Sequence, residues 1–283
     1  MIRKGTMSLE QLKAVETELK TQDFKSRLNC FNDHNGLRKG ELHTIIGPKG
    51  GGKSTFVRTI LSELLEIKKR VYCFLSEEDP NKYVFPIYRT IANITRDIEL
   101  TNKQIDLIDF ESQLDLEKEL KNAERYFERM RHLIFEKIYD VMIFDNFTTS
   151  FMGRLPIDKQ AWCIEQLKEI AVEFSMPVIL VLHTAKGVDI NKQLIDGDDV
   201  RGNATSVNIG SYNYLIATYF RLNPPRAFII TDKARYHKEA NKRVYRLEYD
   251  RISEIFTGDK KTSYDEVIDA IKLVNLKQTK KGY

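Results

Sequence analysis

GPKGGGKST, residues 47–55, is the stretch of sequence that decides the fold. Four of its nine residues are glycine, which suits neither the interior of a helix nor that of a strand. The flanking segments are ordinary by contrast, with HTII (43–46) before the stretch and FVRTILSELL (56–65) after it. The pattern therefore predicts a strand, a tight loop and a helix in that order, and it raises the question of what the loop holds.

The loop matches GxxxxGK[ST], the phosphate-binding P-loop pattern. Its glycines allow backbone N–H groups to converge on an anion, and a helix that begins near Lys53 adds its partly positive N-terminus. We expect Lys53 to reach the β- and γ-phosphates of a nucleoside triphosphate, Ser54 to ligate Mg²⁺ and Thr55 to support the α-phosphate. The alternative is a merely flexible glycine turn. The other expected nucleotide-binding residues are Gly47, Pro48, Lys49, Gly50, Gly51 and Gly52.

A second metal ligand is expected at the end of a buried strand. The segment YDVMIFDNF (139–147) contains the apolar run 141–144, which ends in Asp145. A parallel strand is apolar on both faces, and its C-terminal end points toward the ligand crevice. Asp145 is therefore the candidate Walker B carboxylate that holds Mg²⁺ through water, and a chance acidic residue after a core strand is the alternative.

Two further predicted strands end in polar residues that suit phosphate chemistry. The strand 71–75 is followed by Glu77 and Glu78, and a carboxylate there can polarise the water that attacks the γ-phosphate. The spacing favours Glu77 but leaves Glu78 open, and a solvated acidic turn is the alternative. The strand 178–182 is followed by His183, whose imidazole could sense the γ-phosphate or simply bind local backbone.

Together these segments resemble the RecA-like ATPases, in the branch that contains DnaB-type replicative helicases, plasmid RepA hexameric helicases and KaiC-like ATPases. The motifs are closest to those of the RepA type, although Leu182 stands where that group has the first of two histidines. The resemblance covers roughly residues 27–250. It is carried by GLRKGELHTIIGPKGGGKSTF (36–56), FLSEED (74–79), LHTAKG (182–187), VRGNATSV (200–207) and FIITDKARYHKEANKRVYRLEYD (228–250).

The resemblance implies an α/β fold, with a mainly parallel twisted central sheet, helices on both faces and antiparallel strands near the C-terminal end. It also implies ATP and Mg²⁺ as cofactors and a homo-oligomer, expected to be a hexameric ring. In this branch a Lys-x-Arg pair acts on the nucleotide of the neighbouring subunit, and the matching residues here are Lys233 and Arg235. A solvated basic hairpin is the alternative for that pair.

The segment 186–208 is the candidate contact with nucleic acid, because the matching loops of these ATPases face a central channel. Lys186, Lys192 and Arg201 could follow a phosphate backbone. Four aspartates in the same segment oppose that reading, and an ordinary mobile loop is the alternative.

The chain has 283 residues, a net charge of +4 and three scattered cysteines without a CxxC pair. No apolar run approaches the ~20 residues that span a bilayer, so we expect a cytoplasmic protein without a membrane or zinc site. The resemblance to the RepA group implies a bacterial host, with the gene carried by the host, a plasmid or a phage. The expected parts are an N-terminal helix that could dock onto a subunit (1–26), an ATPase domain (27–257) and a C-terminal helix with a basic tail (258–283). Within the second part, residues 96–136 are expected to form two or three helices on one face of the sheet.

The leading interpretation is an ATP-dependent hexameric DNA helicase or translocase on single-stranded DNA that works in replication, with replication proteins as possible partners. It would hydrolyse ATP at its subunit interfaces. Two alternatives stay open: a filament-forming ATPase of recombination or strand annealing, and a KaiC-like regulatory ATPase that does not act on nucleic acid.

Overall fold

The computed structural model describes residues 10, 13, 17, 24–113, 122–185, 188–200 and 205–279, with backbone alone at 205–206 and 277–279. The N-terminal helix expected over 8–20 therefore lies mostly outside the described residues, although Glu10, Lys13 and Thr17 are helical. The basic end of the C-terminal tail, at 280–283, lies outside them as well.

The strands of the described chain form one nine-stranded sheet. In chain order they are β1 (Leu42–Gly47), β2 (Val71–Leu75), β3 (Ile108–Ser112), β4 (Val141–Asp145), β5 (Val178–His183), β6 (Tyr212–Tyr219), β7 (Arg226–Ala234), β8 (Arg243–Asp250) and β9 (Ile255–Thr262). Their order across the sheet is β3-β2-β4-β5-β1-β6-β7-β8-β9. The first six strands in this order are parallel, and the last three are antiparallel. The predicted sheet architecture is thereby confirmed.

The helices connect the strands and cover the sheet. They are α1 (Asn29–Asn32), α2 (Lys53–Glu66), α3 (Pro80–Thr95), α4 (Ile98–Ile105), α5 (Ala123–Lys137), α6 (Ile157–Glu173), α7 (Thr205–Ile209) and α8 (Tyr264–Thr279). Asp79 caps α3 by accepting hydrogen bonds from the N–H groups of residues 81 and 82. Asp79, the third of the acidic residues after β2, thus begins a helix.

Two hydrophobic cores lie on opposite faces of the sheet. Neighbouring residues of a strand point to opposite faces. In β4, for example, Ile143 packs in the core beneath α2 and α3, whereas Phe144 packs in the core beneath α5 and α6. Burial of both faces explains why the central strands are continuous apolar runs, and it confirms helices on both faces.

The stretch 96–136 contains a strand that the sequence analysis missed. Helices α4 and α5 are present, but β3 pairs with β2 at the edge of the sheet. Phe110 packs toward the core, whereas Asp109 and Glu111 form ion pairs with Arg70 and Arg129. Helix α4 packs on the same face as α2 and α3, whereas α5 packs with α6 on the opposite face, so the prediction that these helices share one face was wrong. The strand was missed because this alternation is only five residues long and lies inside a charged segment with helical spacing. The apolar residues Leu114, Leu116 and Leu120 of this stretch lie outside the described residues.

The expected boundary at 257/258 falls inside a strand. β9 spans it, and α8 packs on the sheet through Val267, Ala270, Ile271 and Val274. On the other face, the Asp259 carboxylate accepts hydrogen bonds from the N–H groups of Asn29 and Cys30. Helices α1 and α8 therefore both contact the one sheet, and the division into three parts stays a prediction.

The three cysteines are buried and free. No group of three or more His, Cys, Asp or Glu side chains that could hold a metal ion occurs in the part of the chain that the structure describes. None of the described helices is long and apolar enough to cross a membrane.

Candidate nucleotide-binding site

The loop between β1 and α2 turns sharply at the end of the central strand. Gly50 and Gly52 have φ values of 71° and 92°, a region that side-chain-bearing residues rarely adopt. Gly52 is the N-cap of α2, and no side chain caps this helix. The N-terminus of a 14-residue helix therefore points into the loop, an arrangement that attracts anions.

The Lys53 side chain is buried beside the loop. It is only 5% exposed, and its Nζ donates a hydrogen bond of 2.6 Å to the Pro48 carbonyl. Burial lowers the pKa of Lys53 to about 8, while the nearby carboxylates of Asp145 and Glu77 act in the opposite direction. An ammonium group withdrawn from water is stabilised by an anion, so this site favours a negatively charged ligand such as phosphate.

Asp145 lies at the end of β4, facing the first turn of α2. Its carboxylate is 6% exposed and accepts hydrogen bonds from Ser54 and from the Tyr83 hydroxyl, the latter at 2.8 Å. Burial raises the pKa of Asp145, while these hydrogen bonds and the Lys53 charge partly offset that effect. The two predicted metal ligands are thus within hydrogen-bond reach of each other.

The donor set of Ser54 and Asp145 fits Mg²⁺. A hydroxyl and a carboxylate are the oxygen ligands that this ion prefers, and Mg²⁺ commonly uses one or two protein ligands together with phosphate and water. The remaining ligands of a bound Mg²⁺ would therefore be phosphate oxygens of the nucleotide and water.

The structure separates the two candidate glutamates. Glu78 forms an ion pair of 3.2 Å with Arg58, whose guanidinium also lies over the Tyr83 ring at 5.0 Å from its centroid. Glu77 is exposed at the end of β2, and its charge acts on Lys53. The ion pair holds Glu78 against Arg58, and the role of either glutamate in orienting a water stays a prediction.

His183 lies beside the start of the phosphate loop. It is opposite Gly47 in the β1–β5 register, and its neighbour Thr184 donates a backbone hydrogen bond of 3.2 Å to the Gly47 carbonyl. The His183 Nε2 lies 2.9 Å from the Asn146 side-chain nitrogen. The imidazole is therefore held between the ends of β4 and β5, next to the expected γ-phosphate position.

A cavity of about 620 Å³ extends from the phosphate loop toward the antiparallel strands. Gly52 and Thr55 line its inner end, and Phe220 and Tyr249 line its wall, although they are 63% and 50% exposed. An aromatic-lined cavity that starts at a phosphate loop suits a nucleobase. Sequence reasoning missed these aromatic residues, because they lie about 170 and 200 residues after the motif and belong to no pattern there.

The candidate nucleic-acid loop lies partly against the phosphate loop. A cavity of about 280 Å³ separates residues 48–51 from residues 188–191. Lys192 follows this segment and forms an ion pair of 3.7 Å with Asp189. Lys186 and Arg201 lie outside the described residues, so their role in nucleic-acid binding stays a prediction.

Lys233 and Arg235 are not part of this cluster. Lys233 lies opposite Asn213 in the β6–β7 register, and Asn213 lies opposite Thr44 in the β1–β6 register. The Arg235 N–H donates to the Ser211 carbonyl, and the Ser211 N–H donates to the Leu42 carbonyl at the start of β1. β1 advances about 16 Å between Leu42 and the loop. The Lys233 Nζ donates to the carbonyls of Val207 and Asn208 at 3.1 and 2.9 Å, and Arg235 reaches the latter at 3.4 Å. The pair thus lies at the end of the sheet away from its own phosphate loop.

No protein-family model and no curated protein matches this sequence. Solved structures do share its fold. The ATPase domain of G40P has a TM-score of 0.70 at 11% identity, with 90% of this chain and 99% of that domain covered. The KaiC-like protein PH0186 from the hyperthermophilic archaeon Pyrococcus horikoshii OT3 has a TM-score of 0.60 at 16% identity, with 85% and 98% covered. The chain therefore has the RecA-like P-loop fold.

Proposed function

We propose that the protein binds ATP with Mg²⁺ and hydrolyses it. The observation that carries this proposal is the convergence of Lys53, Ser54, Asp145 and Glu77 on one glycine loop at the helix N-terminus. Lys53 would hold the β- and γ-phosphates, Ser54 and Asp145 the metal ion, and Glu77 the attacking water. When bound, Mg²⁺ would neutralise charge on the phosphates.

The adenine base would occupy the aromatic cavity next to the loop. Phe220 and Tyr249 offer ring faces, and Thr218 donates a hydrogen bond of 2.9 Å to the Gly51 carbonyl, which joins that wall to the loop. Ring faces stack on any base, so this wall supplies affinity more than base selection.

Hydrolysis between subunits is the second part of the proposal. Lys233 and Arg235 lie too far from their own phosphate loop to touch its nucleotide, so any contribution of theirs to hydrolysis has to be made to a neighbouring copy. An arginine supplied in this way can stabilise charge that develops on the γ-phosphate. The proposed assembly is a homo-oligomer, with a hexameric ring as the leading form.

The leading biological activity is that of a DNA helicase or translocase on single-stranded DNA. Its support is the resemblance of the motifs to DnaB- and RepA-type helicases, together with a fold shared with ATPase domains. A KaiC-like regulatory ATPase is the second candidate, and the ion pair between Lys192 and Asp189 favours it, because a paired lysine is less available to a DNA phosphate.

The test is the rate of ATP hydrolysis with and without single-stranded DNA at fixed salt, since phosphate contacts depend on salt. Lys53→Ala provides the blank. Stimulation by DNA supports the translocase, and electron microscopy then distinguishes a closed ring from the filament of a recombination or annealing protein. Hydrolysis that ignores DNA while the protein is oligomeric favours the regulatory ATPase. If the wild type hydrolyses ATP no faster than Lys53→Ala, the proposed activity is refuted.

A further inference from the structure

Four polar side chains bridge the ends of three neighbouring strands next to the phosphate loop. Ser76 follows β2, Asn146 and Thr149 follow β4, and His183 ends β5. The Ser76 and Thr149 hydroxyls are 2.6 Å apart, and the Asn146 N–H donates to the Ser76 hydroxyl at 3.1 Å. The Asn146 side chain is 3% exposed, so this bridge is largely withdrawn from water.

The hydrogen bonds orient the Asn146 amide. Its Oδ1 accepts from both the N–H and the hydroxyl of Thr149, at 2.9 and 2.8 Å. The Thr149 hydroxyl thus donates to Asn146, which leaves the Ser76 hydroxyl to donate to Thr149. With the carbonyl oxygen committed in this way, the amide NH₂ faces His183.

An amide NH₂ can only donate, so it requires a lone pair on the His183 Nε2. A neutral imidazole that meets this requirement carries its proton on Nδ1. Reversing the amide would offer its oxygen to a protonated Nε2, but it would set the amide NH₂ against the Thr149 backbone N–H, so that two donors face each other in a buried site. The bridge therefore selects one tautomer of His183.

We propose that Asn146 and Thr149 are positioning residues that hold His183 in this single tautomer and join it to the strand end that carries Glu77. This inference rests on the proposed ATPase function, whose γ-phosphate would lie between Glu77 and His183. Asn146 and Thr149 act through these two residues and not on the nucleotide itself.

The bridge also gives a route from the nucleotide site to the adjoining loop. The His183 N–H donates to the Thr148 hydroxyl at 2.9 Å, so the imidazole and its backbone are both tied to the segment after β4. The next residues, Thr184 and Ala185, pair with Val200 and Asp199, which lie within the candidate nucleic-acid segment 186–208. Hydrogen bonds thus connect Ser76 and Asn146, through His183 and the residues after it, to that segment.

The direct test is ¹⁵N magic-angle-spinning NMR of histidine-labelled protein at about pH 8, where an ordinary imidazole is neutral. This method accepts an assembly of any size, and the His183→Gln spectrum identifies the His183 signals among those of the five histidines. The expected result is a protonated Nδ1 and an unprotonated Nε2 in the wild type. Asn146→Asp has the same shape but can only accept from the ring, so it is expected to move the proton to Nε2. A merely structural role for Asn146 would not move that proton.

The kinetic test uses Thr149→Val, which removes the hydroxyl but keeps the shape. Loss of one buried hydrogen bond is expected to lower kcat about tenfold with KM within about twofold, and Thr149→Ser should restore kcat. Two matched controls should leave kcat unchanged: Asn122→Asp, which keeps the cap of α5, and Thr257→Val on the exposed part of β9.

Each outcome decides the inference. A protonated Nε2 in the wild type, or an unchanged tautomer in Asn146→Asp, overturns it even if the protein hydrolyses ATP. Equal kcat values in the wild type and a folded Thr149→Val also overturn it. If the wild type does not hydrolyse ATP, the proposed function fails, and the wild-type spectrum alone still tests the tautomer.

Discussion

Replacing His34 with phenylalanine is expected to make the stability of the protein less sensitive to acid. His34 is fully buried, stacks on Tyr212 with ring centroids 4.7 Å apart, and places its Nε2 2.6 Å from the Tyr214 hydroxyl. Burial lowers the pKa of His34 from 6.5 to about 4. His34→Phe keeps an aromatic ring at this position but removes the titration.

The sign follows from proton binding. Between pH 6.5 and 4 the unfolded chain binds a proton at His34 that the folded protein does not, so the free energy of unfolding falls as the pH falls through this window. One pKa unit corresponds to about 1.4 kcal/mol, and the shift contributes about 2 kcal/mol between pH 7 and pH 5. The wild type should therefore lose about 2 kcal/mol more than His34→Phe over this interval.

Other charged groups surround this histidine or titrate in the same window. His43, whose pKa burial lowers well below its usual value, lies nearby, as do His237 and Asp33. Glu63, near the N-terminal segment, has the opposite effect, because burial raises its pKa to about 7 and the folded protein gains stability as the pH falls toward 4.5. All four groups remain in the variant, so its difference from the wild type isolates His34.

The assay is urea unfolding at pH 7, 6 and 5, followed by the fluorescence of Trp162. The Tyr214 hydroxyl loses its partner in His34→Phe, which should cost about 1–3 kcal/mol at every pH, so the pH dependence is the result that matters. His132→Gln, on the exposed surface of α5, is the matched control and should follow the wild type. Profiles of wild type and His34→Phe that stay parallel within about 0.5 kcal/mol would refute the reasoning.

Four substitutions test the proposed ATP binding and hydrolysis. Lys53→Ala should weaken ATP binding about 10- to 100-fold, measured with a fluorescent ATP analogue, because it removes charge-assisted hydrogen bonds; unchanged affinity would contradict the assigned phosphate contact. Glu77→Gln should abolish most hydrolysis while ATP still binds, whereas Glu78→Gln should mainly loosen its contact with Arg58 and reduce the rate less; the reverse order would exchange their roles. Arg235→Ala should bind ATP normally but hydrolyse it at least about 10³-fold more slowly, and normal turnover by the oligomeric variant would exclude action on a neighbouring copy.

Much of the site was predictable from the sequence because its chemistry lies at the ends of parallel strands. β2, β4 and β5 are buried on both faces, so each is a short apolar run followed at once by polar residues. Parallel strands end at the same edge of the sheet, which brings Glu77, Asp145 and His183 to one place. The sequence also predicted α8 from its apolar spacing.

Other features had no usable signal in the sequence. β3 alternates over only five residues at the edge of the sheet, where charges on one side are tolerated. The cavity wall at Phe220 and Tyr249 forms because the antiparallel strands turn back beside the loop. The orientation of the Asn146 amide depends on Thr149 and His183 together, and neither belongs to the motif that contains Asp145.

By itself, the sequence determined the local geometry of the phosphate loop, the runs that become central strands and the polar residues at their ends. These follow from steric limits on glycine and from burial patterns within a few residues of the chain. Only the tertiary structure decided that β1 lies between β5 and β6, which sets His183 directly opposite Gly47 and places Arg235 at the end of the sheet away from the loop. Strand order depends on packing between segments tens to hundreds of residues apart, and no local pattern records which of those segments will be neighbours.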